Sequence, residues 1–458
     1  MHRVTKRVWI VVLFILILVG GMGFFLMEYS LEADAWVSFT GSPHVYNKSN
    51  LGYGTVYDRS GNVLLDTVTE RSYAEKEIVR KATVHWLGDR HGNIHAAALA
   101  GYAGKMAGFD KINGIYAYGD EEGQASLTLS SQVQSVALEA LGDKRGTVAV
   151  YNYQTGEILC AVTSPTFDPN NPPDLSKDTS GKYEGLYLNR FIQSTYPPGS
   201  IFKLVTTAAA LDCVPGILDM KFTCTGVYDY EIGEDVSCEK AHGTKDLKGA
   251  LASSCNCCFA QITELVGKKN MQRYVTQFGV VDSVSFDGIT TAEGNYDISE
   301  AIPVELAWSG IGQYTNMINP CAYLQFMGAI AGNGVGVKPY LVAEVLSGEE
   351  VTYTAEREEA DRIMPEDIAK MLKGYMHNNV EAVYGSGNFP GLKVCAKSGT
   401  SQLGGGKTSN AMFAGFVDET DYPLAFVVVV EEGGYGSTAC VPVIAKVLNA
   451  CKSVLDAE

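Results

Sequence analysis

The chain has 458 residues, of which 46% are hydrophobic and 19% charged, and its formal net charge is −17. That length calls for two or three folded units, and the composition excludes a disordered chain. No basic stripe offers counterions to phosphates, so nucleic acid is excluded as a partner, and the acidic balance opposes adsorption to an anionic lipid face.

From Val8 to Met27 run twenty residues without a charge. As a helix rising about 1.5 Å per residue, they span a hydrocarbon core of about 30 Å. His2, Arg3, Lys6 and Arg7 precede the run, and Glu28, Glu32 and Asp34 follow it. Basic flanks stay in the cytoplasm, so residues 1–7 are expected inside, 8–27 as an anchor, and the remainder outside. Ala33-Asp34-Ala35 looks like a signal-cleavage site, but it lies well beyond an apolar run too long for a signal core, which favours an uncleaved anchor.

A polar, loop-rich stretch is expected from there to about residue 50. Gly54 to Leu65 reads as a hairpin around Asp58-Arg59-Ser60-Gly61-Asn62. Residues to about 125 are mixed, and the composition shift at Gly119–Gln124 marks a boundary between a membrane-proximal unit (28–125) and a larger one (126–458). Leu127 to Leu141 has helical spacing. Strands Gly146–Tyr151 and Glu157–Val162 follow, joined by Asn152-Tyr-Gln-Thr-Gly156, and then a Pro- and Asn-rich loop from Pro165 to Pro173. Near the end, Lys393–Thr400, Met412–Val417 and Leu424–Glu431 read as three antiparallel strands, with Val441–Val454 as a covering helix. Strands at both ends with helices between them predict one α+β unit whose sheet uses both ends of the chain.

The eleven cysteines form no repeated CxxC pattern. Most read as buried thiols, including Cys160 and Cys395 in strand-like runs. Cys224 and Cys238 are the disulfide candidates on the oxidising side of a membrane. With His242 they also offer three metal donors, but no metal and no cofactor is expected.

The segment richest in chemistry is Tyr196-Pro-Pro-Gly-Ser-Ile-Phe-Lys203. Two prolines and a glycine hold off helix until Ser200, which therefore sits at a helix start, where a serine often only caps the first turn. Capping does not explain Lys203, one turn on and on the same face. A cation is disfavoured at that end of a helix dipole, and burial would depress its pKa further, leaving the neutral amine that a general base requires. Ser237-Cys-Glu-Lys240 repeats the spacing among polar residues, so four residues alone specify little. Two further elements supply specificity: Ser254-Cys255-Asn256, and Lys397-Ser398-Gly399-Thr400-Ser401-Gln402 in a strand. Taken singly, Ser254 and Asn256 could be turn residues and Lys397 an exposed edge cation.

Together the three elements resemble the signature of the penicillin-binding transpeptidases, specifically the class B, monofunctional type. The order matches, with 54 residues from Ser200 to Ser254 and 143 from Ser254 to Lys397; Ser237 lies only 17 before Ser254. Asn189-Arg190, Gln193, Ile311-Gly-Gln313, Asn319-Pro320 and Ala331-Gly-Asn-Gly334 are similar to further family segments. Tyr53, where arginine is usual, Cys255 and Ser398 depart from the common pattern. The resemblance implies a serine β-lactamase-like fold, an antiparallel sheet flanked by helices plus an all-helical lobe, behind a small membrane-proximal domain. It implies a D,D-transpeptidase that cross-links peptidoglycan stem peptides, on lipid-linked precursor or nascent glycan, and is acylated by β-lactams. Ser200 would be the nucleophile, Lys203 its base, Ser254 a proton relay, Asn256 a holder of Lys203 and substrate amide. Lys397, Ser398, Gly399, Thr400 and Gln402 would line the substrate site, with Lys397 keeping it positive.

The same site could serve a D,D-carboxypeptidase, a β-lactamase or a non-enzymatic β-lactam sensor. The anchor and the domain behind it favour a synthase, and the seven residues before the span leave no room for a signalling module. About a hundred residues between anchor and catalytic unit are too few for a glycosyltransferase, so a separate polytopic glycan polymerase is the expected partner.

Overall fold

The computed structural model describes residues 2–37, 46–47, 50–51, 54–68, 70–106, 109–110, 112, 115–116 and 123–457. Tyr53 and most of the compositional boundary, residues 119–122, lie outside these. A helix opens the chain at His2–Val37, and its stretch Arg7–Ala33 is long and apolar enough to cross a membrane. Residues 28–37 prolong it where a loop-rich stretch was expected. They contain no Gly or Pro and are mostly good helix formers, and Phe25 and Tyr29 stack one turn apart with centroids separated by 6.2 Å.

Two sheets follow. The first orders its strands Glu350–Thr354, Val342–Ser347, Gly123–Leu127, Thr55–Tyr57, Val63–Asp66, Ser72–Tyr73. The expected hairpin supplies two of its strands: Thr55–Tyr57 and Val63–Asp66 pair antiparallel, and Asp58 Oδ1 accepts the N–H groups of Ser60 and Asn62 in the turn. Leu127 ends a strand instead of starting a helix. Side chains along Gly123–Leu127 alternate in burial, and the helix, Ser131–Leu141, waits for Ser130, whose Oγ accepts the Val133 N–H at 3.3 Å. The expected division after residue 125 thus falls inside a strand, and the sheet borrows two strands from far along the chain.

The second sheet positions the chemistry. Its five strands run antiparallel in the order Ile158–Ser164, Gly146–Asn152, Leu424–Val430, Asn410–Val417, Val394–Ser401. Both ends of the catalytic segment therefore share one sheet, as the strand pattern predicted. Val148, Val150, Phe413 and Val428 pack on one face with the terminal helix Gly436–Leu455 and with Ser131–Leu141. Ala149, Ala161, Ala414 and Val427 face the other way, toward helix Pro320–Ala331 and the helical lobe. Because both faces are buried, the strands read as continuous apolar runs. The terminal helix also has the length and hydropathy of a span, but half of it is buried on the sheet, which makes it a core helix.

Candidate active site

Ser200 lies in a single 3-10 turn, Gly199–Phe202, which hands over to the helix Lys203–Cys213. Lys203 is the first residue of that helix and is fully buried, while Ser200 is half-buried. The turn is pinned from two sides. Gly199 donates to Gly312 O at 2.8 Å, and Tyr196 exchanges backbone hydrogen bonds with Ile318. Asn319 caps Pro320–Ala331 and donates from Nδ2 to Ile192 O and Ser194 O, at 3.2 and 2.8 Å. Arg190 Nε and Tyr196 Oη both donate to Glu431 Oε1, at 2.7 and 2.9 Å, tying the approach to the end of the sheet's middle strand.

The turn also approaches the edge strand Val394–Ser401 closely. Gly199 has φ +53°, and a Cβ there would lie 2.4 Å from Thr400 O; a Cβ on Gly399 would lie 2.8 Å from Pro198 O. Only glycine at both positions lets the two backbones meet.

Ser254 follows the helix Leu247–Ala252, which Asp246 caps through Gly249 N–H at 2.8 Å. Its φ of +50° places a non-glycine residue in the left-handed region. That conformation costs about 1–2 kcal/mol, and it turns both the carbonyl and the hydroxyl toward Lys203. Cys255 then caps the next helix, Asn256–Val266, by accepting Cys258 N–H at its sulfur. Asn256 donates from Nδ2 to Ser237 O at 2.9 Å, which fixes its amide so that Oδ1 faces the lysine.

The pieces converge on Lys203 Nζ. It lies 2.7 Å from Ser254 O and 2.7 Å from Asn256 Oδ1, and 3.0 and 3.3 Å from the hydroxyls of Ser200 and Ser254. The two shortest partners can only accept. A neutral amine donates its two N–H bonds to them and keeps its lone pair for a hydroxyl proton. Burial, and then the charge of Lys397, push the Lys203 pKa down to about 7. Lys397 is equally buried, and burial brings it to about 7 as well. Lys397 Nζ lies 3.1 Å from Ser254 Oγ and donates to Ser398 O at 2.8 Å. The repulsion between the two ammonium groups is mutual, so the pair sheds a proton more readily than either lysine would alone.

The edge strand shows how backbone groups face this cluster. Val394 O and Ala396 O meet His377 and Asn379 at 3.2 and 3.1 Å, and Ser398 N–H donates to Tyr384 Oη at 2.9 Å. Even-numbered residues thus point away from the neighbouring strand. By the two-residue period, Thr400 N–H points outward too, beside the turn that carries Ser200. Ser398 Oγ is 2.9 Å from Tyr384 Oη, and Gln402 lies exposed just beyond the strand's end.

The residue pattern and fold have a counterpart among known proteins. A model of the penicillin binding protein transpeptidase domain matches residues 146–449, about two thirds of the chain. The chain belongs to the penicillin-binding protein transpeptidase family. The peptidoglycan D,D-transpeptidase PbpA of Mycolicibacterium smegmatis is 29% identical over 339 residues, 68% of each chain. The D,D-transpeptidase domain of a peptidoglycan glycosyltransferase from Eggerthella lenta superposes with a TM-score of 0.75 at 23% identity, covering 89% of this chain and 99% of that one. Penicillin-binding protein A of Mycobacterium tuberculosis, as its penicillin G acyl-enzyme complex, gives 0.73 at 23% identity, covering 87% and 99%. Sequence reading of this transpeptidase misses three contributors: Tyr384, the Ser237 carbonyl and Glu431. In the sequence Ser237 is only a chance repeat of the nucleophile spacing. Its side chain has no part in the cluster, but its backbone holds Asn256. Only a structure reveals such a role, since any residue type supplies a carbonyl.

Proposed function

We propose that this serine-type peptidoglycan D,D-transpeptidase works through an acyl-enzyme on Ser200, with Lys203 as base and Ser254 as relay. The observation that carries the reading is the Lys203 amine, brought to a pKa of about 7 and set between the hydroxyls of Ser200 and Ser254. Ser200 Oγ attacks the carbonyl of a D-Ala–D-Ala stem peptide and its proton passes to Lys203 Nζ. The N–H groups of Ser200 and Thr400 receive the developing oxyanion. The C–N bond then breaks as Ser254 gives its proton to the departing nitrogen and is reprotonated from Lys203, which is again neutral. The amine of a second stem peptide attacks the ester, loses its proton by the same route, and leaves the cross-link. Asn256 holds Lys203, and Lys397, Ser398, Gly399, Thr400 and Gln402 receive the substrate's carboxylate end. A β-lactam, whose amide is held in a ring, acylates the same serine.

The protein is membrane-associated through its apolar N-terminal helix. The finer topology is part of the proposal: one span with residues 1–7 in the cytoplasm, a membrane-proximal unit that runs to the end of the strand Gly123–Leu127, and the catalytic unit outside. A polytopic glycan polymerase would contact the span and residues 28–125. Purification without any polymerase, together with span variants that keep full function, would sink that partner.

Labelling with a fluorescent penicillin and mass spectrometry of the modified peptide, on wild type and Ser200→Ala, tests the centre of the reading. A long-lived adduct on the Ser200 peptide, absent from the variant, is expected. Rapid loss of the adduct with turnover of the drug would mean that water is the acceptor. No adduct on folded protein would refute the nucleophile.

A further inference from the structure

We propose that Cys224, Cys238, His242 and Cys255 bind a zinc ion that braces the Ser254-Cys255-Asn256 element. One donor atom from each residue lies within 4.8 Å of all the others. Cys238 Sγ and Cys255 Sγ are 3.7 Å apart, and Cys224 Sγ is 3.7 Å from His242 Nδ1. With Zn–S about 2.3 Å and Zn–N about 2.05 Å, tetrahedral geometry sets those separations at about 3.8 and 3.6 Å. Two of the six edges are already at the lengths of a zinc tetrahedron, and the other donor pairs lie within 4.8 Å. All eleven cysteines are free thiols, so the expected Cys224–Cys238 pair is replaced by a four-residue group in which each sulfur faces another donor.

Cys238 Sγ accepts the Cys257 N–H and Cys255 Sγ accepts the Cys258 N–H, each at 3.4 Å. Backbone N–H groups aimed at sulfur stabilise the charged ligand form. Cys160, Cys321, Cys395, Cys440 and Cys451, by contrast, are scattered through the hydrophobic core. Cys238 and His242 are only half-buried, which leaves an entry path.

The segment that supplies three of the ligands has little regular structure of its own. Between Cys224 and His242 the strands are two residues long, and residues 231–235 are all exposed. Such a segment lacks a core of its own, a deficit that structural metals fill. Binding releases three thiol protons, and the divalent ion with three thiolates and a neutral imidazole carries one net negative charge. Three thiolates and one imidazole select zinc, and four protein ligands leave no open position, so the ion is structural.

Its place gives it a consequence. Cys255 sits between Ser254 and Asn256, and Cys238 follows Ser237, whose carbonyl holds the Asn256 amide. The ion therefore clamps both ends of the hydrogen bond that aims Asn256 at Lys203. This bracing role rests on the proposed roles of Ser254 and Asn256, whereas the metal site does not.

Full-length protein purified in detergent without chelator should carry about one zinc per chain. X-ray absorption should show a shell of three sulfurs and one nitrogen. Cys224→Ser, Cys238→Ser and His242→Ala should each lower the zinc content at least tenfold, while Cys213→Ser keeps it. Chelation of wild type should slow penicillin acylation with helical content retained, and added zinc should restore the rate. Zinc-free protein with free thiols, a Cys238–Cys255 disulfide in peptide mass spectra, or full zinc content in two of the three ligand variants would overturn the site. Zinc loss that leaves acylation unchanged would overturn the brace.

Discussion

Replacing Lys397 with methionine probes the electrostatics on which the proposed mechanism depends. Both lysine nitrogens sit beside Ser254 Oγ, at 3.3 Å for Lys203 and 3.1 Å for Lys397, and so lie no more than about 6 Å apart. At an effective dielectric of about 20, like charges at that separation repel by about 3 kcal/mol, or about two pKa units. Burial is the larger cause of the Lys203 depression and Lys397 the next. Removing the neighbour should therefore raise the Lys203 pKa from about 7 by at least about one unit. The direction follows from the charge: without a positive neighbour, Lys203 is easier to protonate. The assay is the second-order rate of acylation by a fluorescent penicillin from about pH 5 to 10. The wild-type rate should climb about tenfold per pH unit on the acid side and level near 7. In Lys397→Met the whole profile drops, because the amine proposed to receive the ligand's carboxylate is gone. Its acid limb also moves to higher pH by at least about one unit, and this lateral shift is independent of the vertical loss. A limb that stays in place, or moves to lower pH, would refute the assignment of Lys203 as base beside a charged Lys397.

Ser254→Gly should be more stable than Ser254→Ala by about 1 kcal/mol in denaturant unfolding, because glycine tolerates a φ of +50° and alanine does not. Both variants should lose acylation by the same factor, and a stability order with alanine ahead would remove the strain from the account. Gly199→Ala places a methyl 2.4 Å from Thr400 O, so acylation should fall about 10²-fold as the turn backs away from the edge strand; near-normal rates would show that the close approach is dispensable. Tyr384→Phe removes the acceptor of Ser398 N–H at 2.9 Å, a loss of about 1–3 kcal/mol in unfolding free energy. Saturation kinetics should show weaker β-lactam binding with a largely preserved limiting acylation rate, and the reverse split would assign Tyr384 a part in proton transfer.

What the sequence disclosed followed from how local each feature is. Strand runs such as Leu424–Val430 and the helix start after Pro198-Gly199 carry their signal within a few residues, so the central sheet and the turn at Ser200 could be read directly. The Ser200–Lys203 pairing could be read because one helical turn enforces it. The meeting of Ser254 with Lys397 across 143 residues came only from resemblance to a family, since no local pattern states it. Misreadings occurred where tertiary pairing overrides local preference. Leu127 has helical spacing with the residues after it, but backbone pairing to Val342 holds it in a strand. Residues 28–37 are polar enough for a loop, yet nothing in them stops the helix that reaches them. Tyr384 lies in a single turn, Val380–Tyr384, after a long helix, and nothing around it marks it as the partner of Ser398.

The acidity of the chain sharpens the reading of the two lysines. The sequence carries 52 Asp and Glu against 35 Lys and Arg, so a buried cation would ordinarily find a carboxylate. Among the described residues, neither Lys203 nor Lys397 has one; every hydrogen-bonding partner is a hydroxyl, a carbonyl or an amide oxygen. A carboxylate at either nitrogen would stabilise the ammonium and raise its pKa, and Lys203 could then no longer accept the proton of Ser200 near neutrality. Excluding carboxylates keeps the amine reactive but leaves two desolvated cations sharing one strained serine, an arrangement that weakens the fold on its own. The surrounding backbone offsets that cost. Helix Lys203–Cys213, the turn at Ser254 and the edge strand each deliver one side chain to the cluster. Lys203 can then be both poorly solvated and precisely aimed, and a loop could not have supplied both properties.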